Sequence, residues 1–454
     1  MCLLIGANLL FYAWGEGLYV LVILVSILGN WLLGLMLCPA APAPLTRHSR
    51  RLLTVGIGLN VGLLFFFKYA VFAVTLINRV IAAVEPLQLP VPNIHLPLGI
   101  SFFTFQAISY LVDVRRGLVP AAESLLDFAV YKSLFPQLVA GPIVRYRDLA
   151  SQFKPHRIPS PLFVSGIQRF IVGLGKKVLI ANTVAEAADC IFALPADALG
   201  LKAAWVGVAC YTIQIYFDFS GYSDMAIGIG RMLGFSFLEN FNYPYRSSSV
   251  REFWRRWHIS LSSWFRDYLY IPLGGNRAGR LRTGANLMVV FVLCGLWHGA
   301  AWTFVVWGAW HGLFLLLERT RVARFVQALP LAPLGNLYTL LVVMAGWVFF
   351  RADSFGHAGR YFQALVGLGN PDKETALALA LLMTPKLQLG IMAGIVGSLP
   401  AIPALGSFSR RLSGIQVPSW TGGAIVFCSL AGILFLAACF LAAGSYNPFI
   451  YFRF

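Results

Sequence analysis

The chain has 454 residues, 58% of them hydrophobic and only 12% charged, with a formal net charge of +17. That balance excludes a disordered chain and an ordinary soluble globule. It also argues against a nucleic-acid module, because the basic residues sit in short loops beside apolar runs, the positive-inside pattern of a multi-pass membrane protein.

From the N-terminus, the first apolar run lacks a basic leader and a small-residue cleavage site, so the first helix is expected to stay in the membrane. Residues 18–38 and 420–443 carry no charge and are long enough to cross about 30 Å of hydrocarbon. Apolar stretches recur near 52–78, 98–112, 160–184, 203–217, 285–316, 337–350 and 375–399. The expectation is an all-α integral membrane domain over 1–454, with roughly ten transmembrane helices plus re-entrant and interfacial pieces around an internal tunnel. Loops are expected at 39–44, 143–159 and 404–418, and breaks at Pro97-Leu98-Gly99, Pro136 and Gly141-Pro142. Residues 246–282 hold eight arginines against Glu252 and Asp267, which places this basic segment at the cytoplasmic interface, facing anionic lipid or an anionic cofactor. Seven cysteines without CxxC spacing indicate neither a disulfide framework nor a zinc site.

Within 251–270 the spacing of Phe253, Trp257, Leu261, Trp264 and Tyr268 predicts an interfacial amphipathic helix, with Arg251, Arg255, His258, Ser262 and Arg266 on a second, polar stripe. Neighbouring cations would then lower the pKa of His258 and keep the imidazole neutral. Forty residues on, Gly295-Leu296-Trp297-His298-Gly299 sets a second histidine at a break between apolar segments. A shielded imidazole with a pKa near working pH suits a general base, and the bland alternative is a hydrogen bond to a freed carbonyl. His311 would share a general side with His298 on a continuous helix, more in support than in chemistry. HxxxH spacing and an accompanying carboxylate are both missing, so no metal site is expected. Cys294, four residues before His298, is read as packing more than as a nucleophile. In Tyr216-Phe217-Asp218-Phe219-Ser220-Gly221-Tyr222-Ser223-Asp224 the two carboxylates and the hydroxyls of Ser220, Tyr222 and Ser223 are expected to line a cavity, the alternative being that Ser223 or Asp224 caps a helix beginning at Met225.

Six motifs in this order resemble the membrane-bound O-acyltransferase family, in its bacterial branch of alginate O-acetyltransferases and lipoteichoic-acid D-alanyl transferases. They are Pro97-Leu98-Gly99-Ile100-Ser101-Phe102-Phe103-Thr104-Phe105-Gln106, Phe135-Pro136-Gln137-Leu138-Val139-Ala140-Gly141-Pro142, the 216–224 stretch, Asn240-Phe241-Asn242-Tyr243-Pro244-Tyr245, residues 253–268, and Gly295 to Gly299. The closing Pro448-Phe449-Ile450-Tyr451-Phe452-Arg453-Phe454 resembles the family's ending, whereas the opening resembles its second hydrophobic segment, so one N-terminal helix fewer is expected.

The resemblance implies a ring of tilted helices around a thinned centre, with His298 catalytic and His258 lining the same tunnel. It further implies Arg255, Arg256, Ser262, Trp297, Asp218 and Gln106 as substrate-binding residues and acetyl-CoA as the acyl donor. The acceptor would be an exported polysaccharide, reached directly or through a periplasmic, SGNH-like acetyltransferase partner, from a bacterial inner membrane whose lipids surround the protein. The rival class is a proton-coupled transporter using His258, His298, Asp218 and Asp224 as a pathway; transporters of this size usually show duplicated halves, and none is visible in the sequence.

Overall fold

The computed structural model describes residues 1–37, 46–82, 88–139, 141–153, 157–195, 198–277, 279–320, 332–369, 373–400, 419–444, 446 and 448. The expected loops at 39–44 and 404–418, part of that at 143–159, Ala140, and most of the closing motif lie outside the described residues.

In chain order the helices are α1 Cys2–Glu16, α2 Val20–Leu37, α3 Arg47–Ile81, α4 Ile100–Arg115, α5 Leu125–Ser133, α6 Phe135–Leu138, α7 Tyr146–Leu149 and α8 Ser160–Gly175. A π turn at Lys176–Ala181 leads into α9 Asn182–Ala193, followed by α10 Leu201–Met232, α11 Val250–Arg256, α12 Ile259–Phe265 and α13 Gly279–His298. The remainder are α14 Trp302–Leu317, α15 Ala332–Arg351, α16 Phe355–Leu365, α17 Lys373–Leu382, α18 Pro385–Gly397 and α19 Ser419–Ala442. No strand occurs among the described residues. Local chemistry sets many of the starts: the hydroxyls of Thr46, Ser124, Ser249, Ser354 and Thr384 each accept the backbone N–H three residues on.

Among the described residues five stretches are long and apolar enough to cross a membrane: Cys2–Leu37, Arg47–Ile81, Gly279–His298, Pro333–Arg351 and Gly422–Ala442, with Trp302–Leu317 a shorter apolar helix. The protein is therefore an all-α, multi-pass membrane protein. The apolar stretch near 98–112 becomes α4, which is only sixteen residues long and is buried from Phe102 to Val114. It starts where the break was expected, because Gly99 holds φ +73° at its N-cap and a Cβ there would lie 2.2 Å from the Leu138 carbonyl oxygen.

Helix α10 is the buried axis, and glycine lets α8 lie against it. A Cβ on Gly166 or Gly228 would come within 2.7 Å of the other's carbonyl oxygen, and Gly173 and Gly221 repeat the arrangement seven residues along each helix. Small residues at such a crossing let backbones approach where lipid supplies no hydrophobic drive. The cap expected before Met225 does not form, since α10 runs unbroken from Leu201 to Met232. Its mid-helix acids are neutralised instead: Lys177 pairs with Asp218 at 2.5 Å, and Lys176 and Arg169 pair with Asp224 at 2.7 and 2.6 Å. Pairing offsets the cost of a charge among apolar neighbours.

Candidate active site

The segment expected to be one amphipathic helix over 251–270 is broken at the histidine. Helix α11 ends at Arg256, His258 takes a left-handed conformation at φ +44°, and α12 begins at Ile259. The cause is tertiary: the Ile259 N–H donates to the Asn240 carbonyl at 2.9 Å and the Asn242 N–H to the Arg256 carbonyl at 3.0 Å, which takes the chain out of the helical ladder. A non-glycine residue at this φ is uncommon and persists where its surroundings fix it. His258 is consequently not on an arginine stripe but buried, its ring edge-on to Phe219 at 4.6 Å. Burial, rather than the arginines, pushes its pKa down to about 3.

Asn240 fixes how this imidazole is used. Its Oδ1 accepts the Ser260 N–H at 3.2 Å and the Ser260 hydroxyl at 2.9 Å, which identifies it as the carbonyl oxygen. The His258 Nδ1, 3.1 Å from the same oxygen, must then donate, leaving Nε2 unprotonated. That Nε2 is buried with no hydrogen-bond partner among the described residues. The arrangement is a base with its lone pair free and its far side clamped.

His298 ends α13. Three carbonyls of that helix end are taken by α3: Lys68 Nζ donates to the Trp297 oxygen at 2.5 Å and the His298 oxygen at 3.0 Å, and the Tyr69 hydroxyl donates to the Leu296 oxygen at 2.5 Å. A cation here satisfies orphan carbonyls and opposes the helix dipole. The His298 ring packs edge-on against Trp307 and Phe350, each at 5.1 Å, and against Trp297 at 4.8 Å. Trp297 also faces His258 at 6.4 Å, so one indole lies against both imidazoles, and it stacks in turn on Phe105, which stacks on Trp264 at 3.8 Å.

Two cavities meet different stretches of α13. One, about 350 Å³, is lined by Arg251, Arg255, Arg266 and Arg319, with Ser262 beside them and Cys294 on the α13 wall. The other, about 270 Å³, is lined by Trp297, His298, Lys68 and Ser101 and by Glu16 and His95, which pair at 2.9 Å. Cys294 and His298 are one helical turn apart.

Of the residues singled out by the sequence, Arg255 and Ser262 thus line the basic cavity, while Trp297 and His298 line the other. Arg256 turns elsewhere, pairing with Glu252 at 2.8 Å and donating to the Asn242 carbonyl. Asp218 is committed to Lys177. Gln106 is buried on α4 beside Phe105, and its carbonyl accepts from Ser109. His311 lies on a different helix from His298, past the break at 299–301, and packs on Trp254 and Trp307. Among the described residues no three His, Cys, Asp or Glu side chains gather as metal ligands. Asn240 and Ser260 lie in motifs read from the sequence but were given no role there, and Lys68 and Tyr69 were missed. Lys68 was findable, as a lone cation inside the apolar run 52–78.

The chain matches one family model and is similar to several known proteins. The description "MBOAT, membrane-bound O-acyltransferase family" matches residues 117–355. The chain is 40% identical to the probable alginate O-acetylase AlgI of Azotobacter vinelandii, over 100% of the chain and 94% of the relative. It is 37% identical to the peptidoglycan O-acetyltransferase of Helicobacter pylori, over 80% of the chain and 73% of the relative. The teichoic acid D-alanyltransferase of Bacillus subtilis is 31% identical over 48% of the chain and 57% of the relative.

Proposed function

Because the chain belongs to the membrane-bound O-acyltransferase family, and is an acyltransferase on that ground, we propose that it moves an acetyl group from acetyl-CoA to a hydroxyl destined for an exported polysaccharide. The acceptor class follows the relatives named for alginate and peptidoglycan acetylation, and an alginate-like glycan fits the longest alignments. The observation that carries this reading is the course of α13, which forms a wall of the arginine-lined cavity from Leu287 to Cys294 and, one turn further on, carries His298 into a separate cavity.

In this reading Arg251, Arg255, Arg266 and Arg319, which line one cavity, hold the phosphates of the donor by charge-assisted hydrogen bonds, and that mouth opens to the cytoplasmic side of a bacterial inner membrane. The thioester reaches past Cys294 to Trp297, and the acceptor hydroxyl comes from the His298 cavity. His298 takes the hydroxyl proton as the oxygen attacks the acetyl carbonyl; the C–O bond forms, the C–S bond breaks, and the thiolate leaves with that proton. His258, held by Asn240, presents Nε2 as a relay or orienting acceptor. The acceptor hydroxyl belongs to the glycan or to a partner protein that passes the acetyl group on. Labelled acetyl-CoA tests the scheme: His298→Ala, inserted and folded, is expected to lose transfer by about a thousandfold, and wild-type transfer by that variant overturns the assignment.

A further inference from the structure

A third cavity, about 1150 Å³, takes no part in this scheme; it lies between α8, the π turn, α10, α18 and α19. Helix α8 and its continuation line it from Ser165 to Thr183, which at about 1.5 Å per residue makes it roughly 27 Å long. That length is comparable to the hydrocarbon thickness of a bilayer. Much of the wall is apolar, from Leu179, Leu389, Val396 and Ile433. Its neighbour α19 is exposed at most of its described positions, so this groove borders lipid.

One end is ionic. Arg169, Lys176 and Arg231 share two carboxylates, Asp224 and Glu239, with Arg231 reaching Glu239 only at 3.8 Å. Guanidinium groups offer five N–H donors each and an ammonium three, so these cations hold donors well beyond what two carboxylates absorb. The Ser220 hydroxyl on the same cavity wall is buried without a hydrogen-bond partner among the described residues. A buried, unsatisfied hydroxyl on an amphiphile-shaped groove with excess cationic donors calls for a ligand with acceptor oxygens at one end and hydrocarbon along the rest.

We propose that this groove is a specific site for one membrane phospholipid, its phosphate at Arg231 and Lys176 and its acyl chains along α18 and α19. The full chain in detergent, titrated with dioleoylphosphatidylglycerol and followed by native mass spectrometry, gives a one-lipid adduct; dioleoylphosphatidylethanolamine, which carries the same phosphate, gives it too, and dioleoylglycerol does not. Arg231→Gln removes a phosphate donor and weakens the adduct by about tenfold. Ala393→Trp, which fills the exposed wall and deletes no hydrogen bond, does the same from the hydrocarbon side. Equal binding of dioleoylglycerol, displacement by inorganic phosphate, or an adduct undiminished in both variants overturns the proposal.

Discussion

Gly295 is where the fold and the chemistry can be separated by one methyl group. A Cβ at this position would lie 2.1 Å from the Phe304 carbonyl oxygen and 3.0 Å from its carbon, so a 3.4 Å contact requires the backbones of α13 and α14 to part by about 1.3 Å. The obstacle is backbone, so no rotamer change relieves it. Gly308 makes the reciprocal contact with the Phe291 carbonyl at 2.2 Å, which leaves the pair of helices no slack nearby. Parting them costs about 1–3 kcal/mol of stability as overpacking. It also withdraws Trp307 from the His298 ring, which it touches at 5.1 Å. Misplacing a reacting group by about 1 Å costs on the order of 100-fold in rate. Gly295→Ala in proteoliposomes with labelled acetyl-CoA should therefore lower kcat about 100-fold. KM for the donor should change much less than kcat, because Arg251 and Arg255 stand on α11 and Arg266 follows α12, outside the pair of helices being parted. Gly284→Ala is the control: it meets only the Leu316 side chain, at 3.3 Å, and should leave kcat unchanged. A Gly295→Ala enzyme with wild-type kcat would refute the idea that this helix contact positions His298.

Three further expectations follow from single contacts. Asn240→Ala removes the acceptor shared by His258 and Ser260, leaving buried donors unsatisfied at about 1–3 kcal/mol each; transfer should drop sharply, while Asn240→Asp, which keeps the acceptor, should recover most of it in the same assay. Lys68→Met strips two carbonyls at the end of α13 and should lower kcat by about tenfold or more without changing expression, whereas unchanged turnover would show that the cap does not position His298. Lys132 is fully buried beside Ser26, and burial pushes its pKa from 10.5 down to about 7. Between those values the unfolded chain binds a proton the folded chain does not, so stability rises with pH from about 7 upward, by at most about 5 kcal/mol at 1.36 kcal/mol per pH unit. Thermal unfolding in detergent should show Lys132→Met more stable than wild type at pH 7 and the gap closing by pH 9.5; a gap that does not change with pH would exclude Lys132 as its source.

How much of this was legible in the sequence depends on where the deciding contact lies. Apolar runs and polar N-caps are local, so the all-α membrane architecture and the break at Gly99 could be read directly. The break at His258 could not, because the aromatic spacing of 253, 257, 261, 264 and 268 continues across it, and the bonds that interrupt the helix come from Asn240 and Asn242, outside that window. The acids and the histidines show the same limit from the other side. By the rule that an ionisable group in a membrane segment has a use, Asp218, Asp224, His258 and His298 looked alike. What separates them is the partner. The carboxylates meet Lys177, Lys176 and Arg169, some 41 to 55 residues earlier on a helix brought close by paired glycines, a proximity that no local spacing encodes. His258 instead meets an amide that orients one ring nitrogen and leaves the other free, and His298 meets a cavity wall of aromatic rings. An intramembrane charge matched by an opposite charge holds helices together, whereas an imidazole clamped through one ring nitrogen keeps the lone pair of the other unused.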